Sequence, residues 1–468
     1  MSAPPPSGSS ASAGGTAVTP ARRVAFEVVR RTFEREAWTD RAFAATAARE
    51  ELDERELASS RRLTYGAVQR RGTSDELVSR LSRRPLARID APALAALRLG
   101  AYELLFFSDA PAEHAAVDQA VELAKGGGGA RARAAAGFVN AVLRRIAGER
   151  EAILAGLDDS TVEGAAIAHS YPPWMAAMWW EELGAAEARL LMASMNEPSE
   201  TALRVNTLIA EPAGVAAELR AAGLEVREGG AGGLLEPAEA LVVSRAGDEV
   251  AARVATGELV PQSRGSQAIV DLLDPRPGER VLDLCAGPGI KTTAIGARMR
   301  SSGELVAIES EERRAAQITE LCERTRVSCA RVVVADAAEI ELGSGYDRIL
   351  LDPPCTDLGA LASRPDARWR KRGADRRRLA TLQRRILVRA ARALRPGGKL
   401  VYSTCTISAL ENEGVAAAAL EHAPELEADD LGALHPRLAS RRDRRFLQLL
   451  PERDRTTGFF AARFRRAG

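Results

Sequence analysis

The 468 residues include few aromatics (4%), only four histidines and only five cysteines. The cysteines stand at 285, 322, 329, 355 and 405, all in the second half. They form no C-x-x-C pair, and no Cys/His cluster has zinc spacing. A disulfide scaffold is thereby excluded, no metal is expected, and a reducing, cytoplasmic setting fits. No run of about 18 apolar residues occurs, so no membrane partner is expected. Lys+Arg is 65 against 64 Asp+Glu, which excludes a simple polybasic nucleic-acid binder but not a local basic patch. Residues 1–20 are rich in Pro, Ser, Ala and Gly and lack the basic start and apolar segment of a secretory signal. They bury too little to offset their ordering entropy and are expected to form a disordered tail.

What the chain does have is ordinary globular content: 46% hydrophobic and 28% charged residues, with a patterning that changes twice. Across 21–150 the apolar residues follow helical spacing, as in Val24, Val28 and Val29 or Val139, Val142, Leu143 and Ile146. Pro85, Pro92, Pro111 and the glycine run 126–129 mark loops, so an all-helical bundle is expected there. It carries 23 basic and 18 acidic residues, a mild basic bias that a solvated surface would also give. Residues 151–265 read as linker helices and a small α/β subdomain, with strands at 202–206 and 224–227 around a helix at 212–222. From 266 to 468 strands and helices alternate, with strands read at 280–284, 305–308, 331–334, 347–351, 399–402 and 458–464. That alternation predicts a mostly parallel, Rossmann-like sheet with helices on both faces and a ligand at the carboxyl ends of the strands.

The chemistry is written at those ends. The first strand runs into Cys285-Ala-Gly-Pro-Gly-Ile-Lys-Thr292, a glycine-rich turn that lets a ligand approach backbone and helix amides. It matches neither G-x-G-x-x-G nor a Walker loop. The second strand ends at Glu309, placed for ribose hydroxyls, and the third near Asp336, suited to an adenine amino group. Together the three features point to an adenosine-type ligand, although each acid alone is more often a cap or a solvated charge. The fourth strand ends in Asp352-Pro-Pro-Cys355 and the next in Tyr402-Ser-Thr-Cys405, delivering two thiols and a carboxyl group to one rim. Cys285, Cys322 and Cys329 have packing positions instead. Cytosine is a poor nucleophile at carbon 5. A thiolate adding to carbon 6 makes carbon 5 enamine-like, a carboxyl at ring nitrogen 3 stabilises the adduct, and a base must later take the carbon-5 proton. Spacing alone leaves open which cysteine attacks.

These residues resemble a known family. Val281-Leu-Asp-Leu-Cys-Ala-Gly-Pro-Gly-Ile-Lys-Thr292, Asp352-Pro-Pro-Cys355 and Tyr402-Ser-Thr-Cys405 look like the signature loops of the Nol/Nop/Sun RNA cytosine-5 methyltransferases. Leu203-Arg-Val-Asn206 and Pro365-Asp-Ala-Arg-Trp369 are similar to further family elements. Leu63-Thr-Tyr-Gly66, Leu97-Arg-Leu-Gly-Ala-Tyr102 and Gly137-Phe-Val-Asn-Ala-Val-Leu-Arg144 resemble a NusB-like RNA-binding domain. The combination is that of the bacterial Sun/Fmu (RsmB) type. The resemblance implies S-adenosylmethionine as cofactor and 5-methylcytosine in small-subunit (16S) ribosomal RNA as product. It implies a cofactor site of Cys285, Ala286, Gly287, Pro288, Gly289, Ile290 and Lys291, with Glu309, Asp336 and Asp352. It implies Cys405 as nucleophile, Cys355 in product release, and Lys291 ordering Asp352. Gly287, Ile290, Glu309 and Pro353 depart from the common family pattern, and Ile290 adds bulk beside the methionine moiety. The same chemistry on transfer RNA, or a non-catalytic RNA-binding assembly factor, are the alternatives, and a monomer is compatible with the sequence. Between 364 and 395 stand 13 Lys/Arg and two acids, with Trp369 interleaved. So lopsided a run beside a base pocket predicts phosphate contact, with Arg368, Arg370, Lys371 and Arg372 as candidates. A flipped or unpaired base is expected, because carbons 5 and 6 must be reached.

Overall fold

The structure is a computed structural model that describes residues 17–107, 113–126, 129–230 and 232–468. Most of the expected tail, the Pro111 loop and Gly127 and Gly128 of the glycine run lie outside the described residues. The chain divides into two compact units, Met1–Ala176 and Ala177–Gly468.

The first unit is helical throughout its described residues, as the spacing predicts. Helix Ala91–Phe106 runs through its middle and buries twelve of its sixteen residues. Helices Pro20–Glu34, Glu54–Gln69, Glu113–Ala124 and Gly129–Gly148 pack around it. Close approach is set by small residues: a Cβ at Gly66 would stand 1.9 Å from the Tyr102 ring, and one at Gly100 would stand 2.6 Å from Leu143. Two charged pairs are taken into this packing. Arg22 Nε donates to Glu103 Oε2 at 3.0 Å, and Arg98 grips both oxygens of Asp75 at 2.6 and 2.8 Å.

The second unit holds two sheets. Strands β1 (Thr201–Val205), β2 (Val226–Glu228), β3 (Ala240–Val243) and β4 (Leu259–Pro261) form a small antiparallel sheet in the order β2-β3-β1-β4. Helices Pro212–Ala221 and Asp248–Ala255 close it over Leu203, Val205, Val215, Leu219 and Leu241. The large sheet contains β5 (Arg280–Leu284), β6 (Glu304–Glu309), β7 (Ala330–Val334), β8 (Tyr346–Leu351), β9 (Leu394–Thr404), β10 (Leu426–Ala428), β11 (Leu447–Leu449) and β12 (Phe459–Arg466). Its order is β10-β12-β9-β8-β5-β6-β7, with β11 beside β12. Strands β5 to β9 pair in parallel, while β12 runs antiparallel to β9 and β10.

Alternation along each strand feeds both faces. Leu282, Leu284, Ile349 and Leu351 pack against Ile386, Leu387 and Ala390 of helix Gly373–Ala393 and Val415 and Ala416 of helix Glu413–His422. Val281 and Leu350 face the opposite way, against Ile269 and Leu273 of helix Arg264–Leu273 and Ala294 and Ile295 of helix Ile290–Arg298. The sheet thus stands between two helical layers, which leaves the loops at its carboxyl rim to carry the chemistry.

Candidate active site

Strand β5 stops at Leu284 and the chain turns through residues 285–289 into helix Ile290–Arg298. Cys285 and Gly289 have φ of 62° and 98°, so the turn is made in the left-handed region where glycine is at ease. Gly287 has a second reason for being glycine: a Cβ there would stand 2.3 Å from Glu309 Oε2. Its N–H donates to that oxygen at 3.0 Å, and Glu311 N–H donates to Glu309 Oε1 at 3.0 Å. Arg314 donates to the Gly287 carbonyl and pairs with Glu309 at 3.5 Å. Glu309 therefore braces the glycine loop, a contact the sequence reading does not contain. Asp336 follows β7 and accepts the Ala338 N–H at 2.8 Å through Oδ1.

Beneath the loop, Asp283 is buried in β5 and accepts the Thr292 hydroxyl at 2.7 Å through Oδ2. Burial pushes its carboxyl up to about 7. Its Oδ1 is buried with no hydrogen-bond partner among the described residues. An orphaned carboxylate oxygen below the loop suits a ligand that brings donors.

The end of β8 adds the next group. Asp352 Oδ2 meets Lys291 Nζ at 2.5 Å, and its Oδ1 accepts the Ser403 hydroxyl at 3.3 Å. Burial pulls the Lys291 ammonium down, but the Asp352 carboxylate outweighs it and holds the pKa above the ordinary lysine value. The ammonium also stands 5.0 Å from the centre of the Phe459 ring.

The two thiols lie together, with Cys355 Sγ 3.4 Å from Cys405 Sγ. Both donate to one oxygen, Asp357 Oδ1, at 3.3 and 3.1 Å. The other oxygen of Asp357 is held by Lys371 Nζ at 2.9 Å. Burial opposes the Asp357 charge, yet Lys371 keeps its carboxyl below the usual range. The Cys355 thiol is raised by its bond to Cys405 and by burial. The Cys405 thiol is lowered by its bond to Cys355, but burial and the Asp357 and Asp352 carboxylates carry it above its ordinary value. The cluster rests as two thiols beside one carboxylate. Cys322 packs on Ala307 and Ile318 away from the paired thiols, and burial raises its thiol and that of Cys285.

A buried polar network fixes the thiol spacing. Thr356 and Thr406, each directly after one of the paired cysteines, share a hydrogen bond of 2.8 Å. Glu411 accepts the Thr356 N–H at 3.0 Å and a Gln383 N–H at 3.2 Å, and Gln383 also donates to the Pro354 carbonyl at 2.9 Å. Gly359 N–H donates to the Cys405 carbonyl at 2.9 Å. Sequence reasoning misses Asp357, Thr356, Thr406, Gln383 and Glu411. The paired Cys-Thr dipeptides are the signal that could have found the threonines.

The basic run needs correction. Arg368 is fully buried and donates to Asn196 Oδ1 at 3.0 Å and the Met195 carbonyl at 3.4 Å, so it offers no surface to a phosphate. Lys371 is committed to Asp357, and half-buried Arg370 pairs with Asp366 at 3.4 Å. Arg372, Arg377 and Arg378 are exposed. The Leu203-Arg-Val-Asn206 element is structural: Arg204 reaches Gln262 at 2.8 Å and Thr293 at 3.0 Å, and Asn206 reaches the Gly257 and Thr325 carbonyls at 3.1 and 2.8 Å. Burial pulls the Arg204 guanidinium down to about 10.

A Rossmann-like sheet with a glycine loop, ordered acids and paired thiols along one rim is the frame of a methyltransferase. The family described as 16S rRNA methyltransferase RsmB/F matches residues 270–465, its ferredoxin-like domain residues 171–235, and the NusB family residues 19–148. A putative methyltransferase of Mycobacterium tuberculosis is 36% identical over 96% of this chain and 96% of its own. The probable ribosomal RNA small subunit methyltransferase B of Bacillus subtilis is 30% identical over 96% of this chain and 99% of its own. Among solved structures, a methyltransferase homolog protein from Pyrococcus horikoshii is 26% identical and covers 65% of this chain and 98% of that one, with a TM-score of 0.57. The chain belongs to the RsmB/F methyltransferase family and carries the NusB domain at its N-terminal side. No helix among the described residues is long and apolar enough to cross a membrane.

Proposed function

We propose that this protein is a cytoplasmic methyltransferase that forms 5-methylcytosine in 16S ribosomal RNA, using S-adenosylmethionine and a covalent Cys405 adduct. The observation that carries the reading is the pair of thiols 3.4 Å apart on the strand rim that also bears the Asp352–Lys291 pair. Residues 285–291, with Glu309 and Asp336, would hold the cofactor. The orphaned Asp283 oxygen fits such a ligand. When bound, S-adenosylmethionine supplies the methyl group.

The chain's own residues do the rest. Cys405 adds to carbon 6 of an extruded cytosine and makes carbon 5 nucleophilic. Asp352, with Lys291 against it, stabilises the adduct at ring nitrogen 3. Cys355 assists release of the methylated base. The exposed arginines 372, 377 and 378 supply phosphate contacts, and the NusB domain supports an RNA substrate.

The test combines tritiated methyl transfer to 16S RNA with bisulfite sequencing and gel detection of RNA–protein adducts. Cys405→Ala is expected to abolish transfer and adduct together, whereas Cys355→Ala accumulates an adduct. An adduct that survives in Cys405→Ala reverses the two roles. Transfer to transfer RNA alone would move the substrate. Absence of cofactor binding and turnover in the wild type would favour an assembly factor.

A further inference from the structure

We infer that Asp357 is a catalytic proton acceptor for the nucleophilic thiol, held ionised for that task by Lys371. The inference rests on the cytosine reading and extends it to a residue that the sequence motifs leave out. Three observations carry it. First, Asp357 Oδ1 is the acceptor for both thiols, at 3.1 Å from Cys405 Sγ and 3.3 Å from Cys355 Sγ. Asp352 is turned elsewhere, to Lys291 and Ser403. No other carboxylate or imidazole hydrogen-bonds either thiol among the described residues. Second, the far oxygen is fixed by Lys371 Nζ at 2.9 Å, and the same ammonium reaches the Cys355 carbonyl at 3.4 Å. The carboxylate is therefore aimed rather than free to rotate. Third, Asp357 has φ of 57°, in the left-handed region where a side chain costs about 1 kcal/mol or more and glycine costs nothing. The carboxylate is thus kept beside the reacting atoms at a position whose backbone glycine would fit better.

The S–H bond of Cys405 breaks and its proton passes to Asp357 Oδ1. The sulfur electron pair forms the S–C6 bond, and the C5=C6 π pair moves to carbon 5, which takes the methyl group. On release the C5–H bond breaks, and that proton leaves to water as the net proton of the transfer. Its electron pair rebuilds C5=C6, the S–C6 pair returns to sulfur, and Asp357 gives the proton back. Because the resting site is thiol and carboxylate, proton transfer is coupled to S–C6 bond formation and does not precede it.

Two effects of the carboxylate have opposite signs, and the experiment reads both. The groups facing the thiols are Asp357, Asp352 and Glu411 on the negative side and Lys371 and Lys291 on the positive side. Removing the Asp357 charge should make thiolate easier to form yet slow methylation. In Asp357→Asn, methyl transfer to 16S RNA is expected to fall ~10²- to 10⁴-fold with cofactor affinity unchanged. In the same protein, the pH midpoint of iodoacetamide alkylation at Cys405 falls by about 1 unit. Asp357→Gly is the control for folding, because glycine relieves the backbone while deleting the carboxylate, and it should behave alike. A variant that methylates within about threefold of wild type, or whose alkylation midpoint does not fall, overturns the role of Asp357. Wild-type protein that transfers no methyl to carbon 5 overturns the cytosine reading, and this inference with it.

Discussion

Asp283 makes stability depend on pH in a direction opposite to that of an ordinary salt-bridged carboxylate. Unfolded, it titrates near 3.8; folded, burial pushes it to about 7 against the Thr292 hydroxyl and the Lys291 charge, which pull it down. Below pH 4 both states hold the proton and the group is neutral to folding. Between pH 4 and 7 the unfolded chain gives up a proton that the folded chain keeps, so stability falls as pH rises, and above 7 the loss is complete. A shift of that size corresponds to about 4 kcal/mol at most, at about 1.4 kcal/mol per unit. For a unit of 292 residues the unfolding entropy is roughly 0.6 kcal/mol per degree, so the full effect is a melting shift of about 7 °C. Other buried acids contribute, notably Asp271 at about 6 and Glu452 at about 7, so the clean quantity is a difference. The assay is the melting temperature of the C-terminal unit within the full chain, from pH 4 to 8, for wild type and Asp283→Asn. The wild type should lose several degrees relative to the variant as pH rises. A difference that is flat with pH, or that grows in the other direction, would refute the assignment of Asp283 as a buried carboxyl that ionises late.

Three other perturbations separate structure from chemistry. Lys291→Met leaves Asp352 without its ammonium in a largely buried site; it should cost about 2–3 kcal/mol in chemical denaturation and lower methyl transfer more than RNA affinity. Arg368→Ala should lower the melting temperature, since it empties a buried site bonded to Asn196 and Met195, while leaving the salt dependence of RNA binding unchanged. Arg372→Ala and Arg377→Ala should do the reverse, each reducing the slope of log affinity against log salt by about 1 with no melting shift.

The central strands were legible because each is a short apolar run that must cover both faces of a parallel sheet. The three-residue strands β10 and β11 were not, because three residues carry no period to read. Strands β3 and β4 of the small sheet were also missed. Strand β9 begins at Leu394, before the Pro396-Gly-Gly398 stretch that reads as a stop. Pairing with β8 shifts there: Tyr346 faces Leu394, but Arg348 already faces Lys399. The extra residues bulge out of the ladder, and that allows a proline within a strand. The true settings of Lys371 and Arg368 are hidden from sequence for a common reason. Composition counts a charge as solvated, and only the fold shows that one meets Asp357 and the other is enclosed.

The two cysteines follow different strand ends and stand 50 residues apart in sequence, yet their sulfurs are 3.4 Å apart. Packing alone would not fix that distance, since a thiol is small and its rotamers interconvert. What fixes it is the layer below, where Thr356 and Thr406 bond to each other and Glu411 ties Thr356 to helix Gly373–Ala393 through Gln383. Burial raises the Glu411 carboxyl above its usual value, and the bonds from Thr356 and Gln383 pull it back. Its three donors, a hydroxyl, a side-chain amide and a backbone N–H, are what make a buried acid tolerable there. Substituting Glu411 by Gln would keep the shape but turn two acceptor positions into one acceptor and one donor. Both N–H donors converge on Oε2, so the amide donor would stand toward the Thr356 hydroxyl, which would have to turn its proton away from residue 411 and redraw its bond to Thr406. The site above would loosen before the sheet did, so methyl transfer should fall further than stability. An equal loss in both would place Glu411 in the core rather than beneath the thiols.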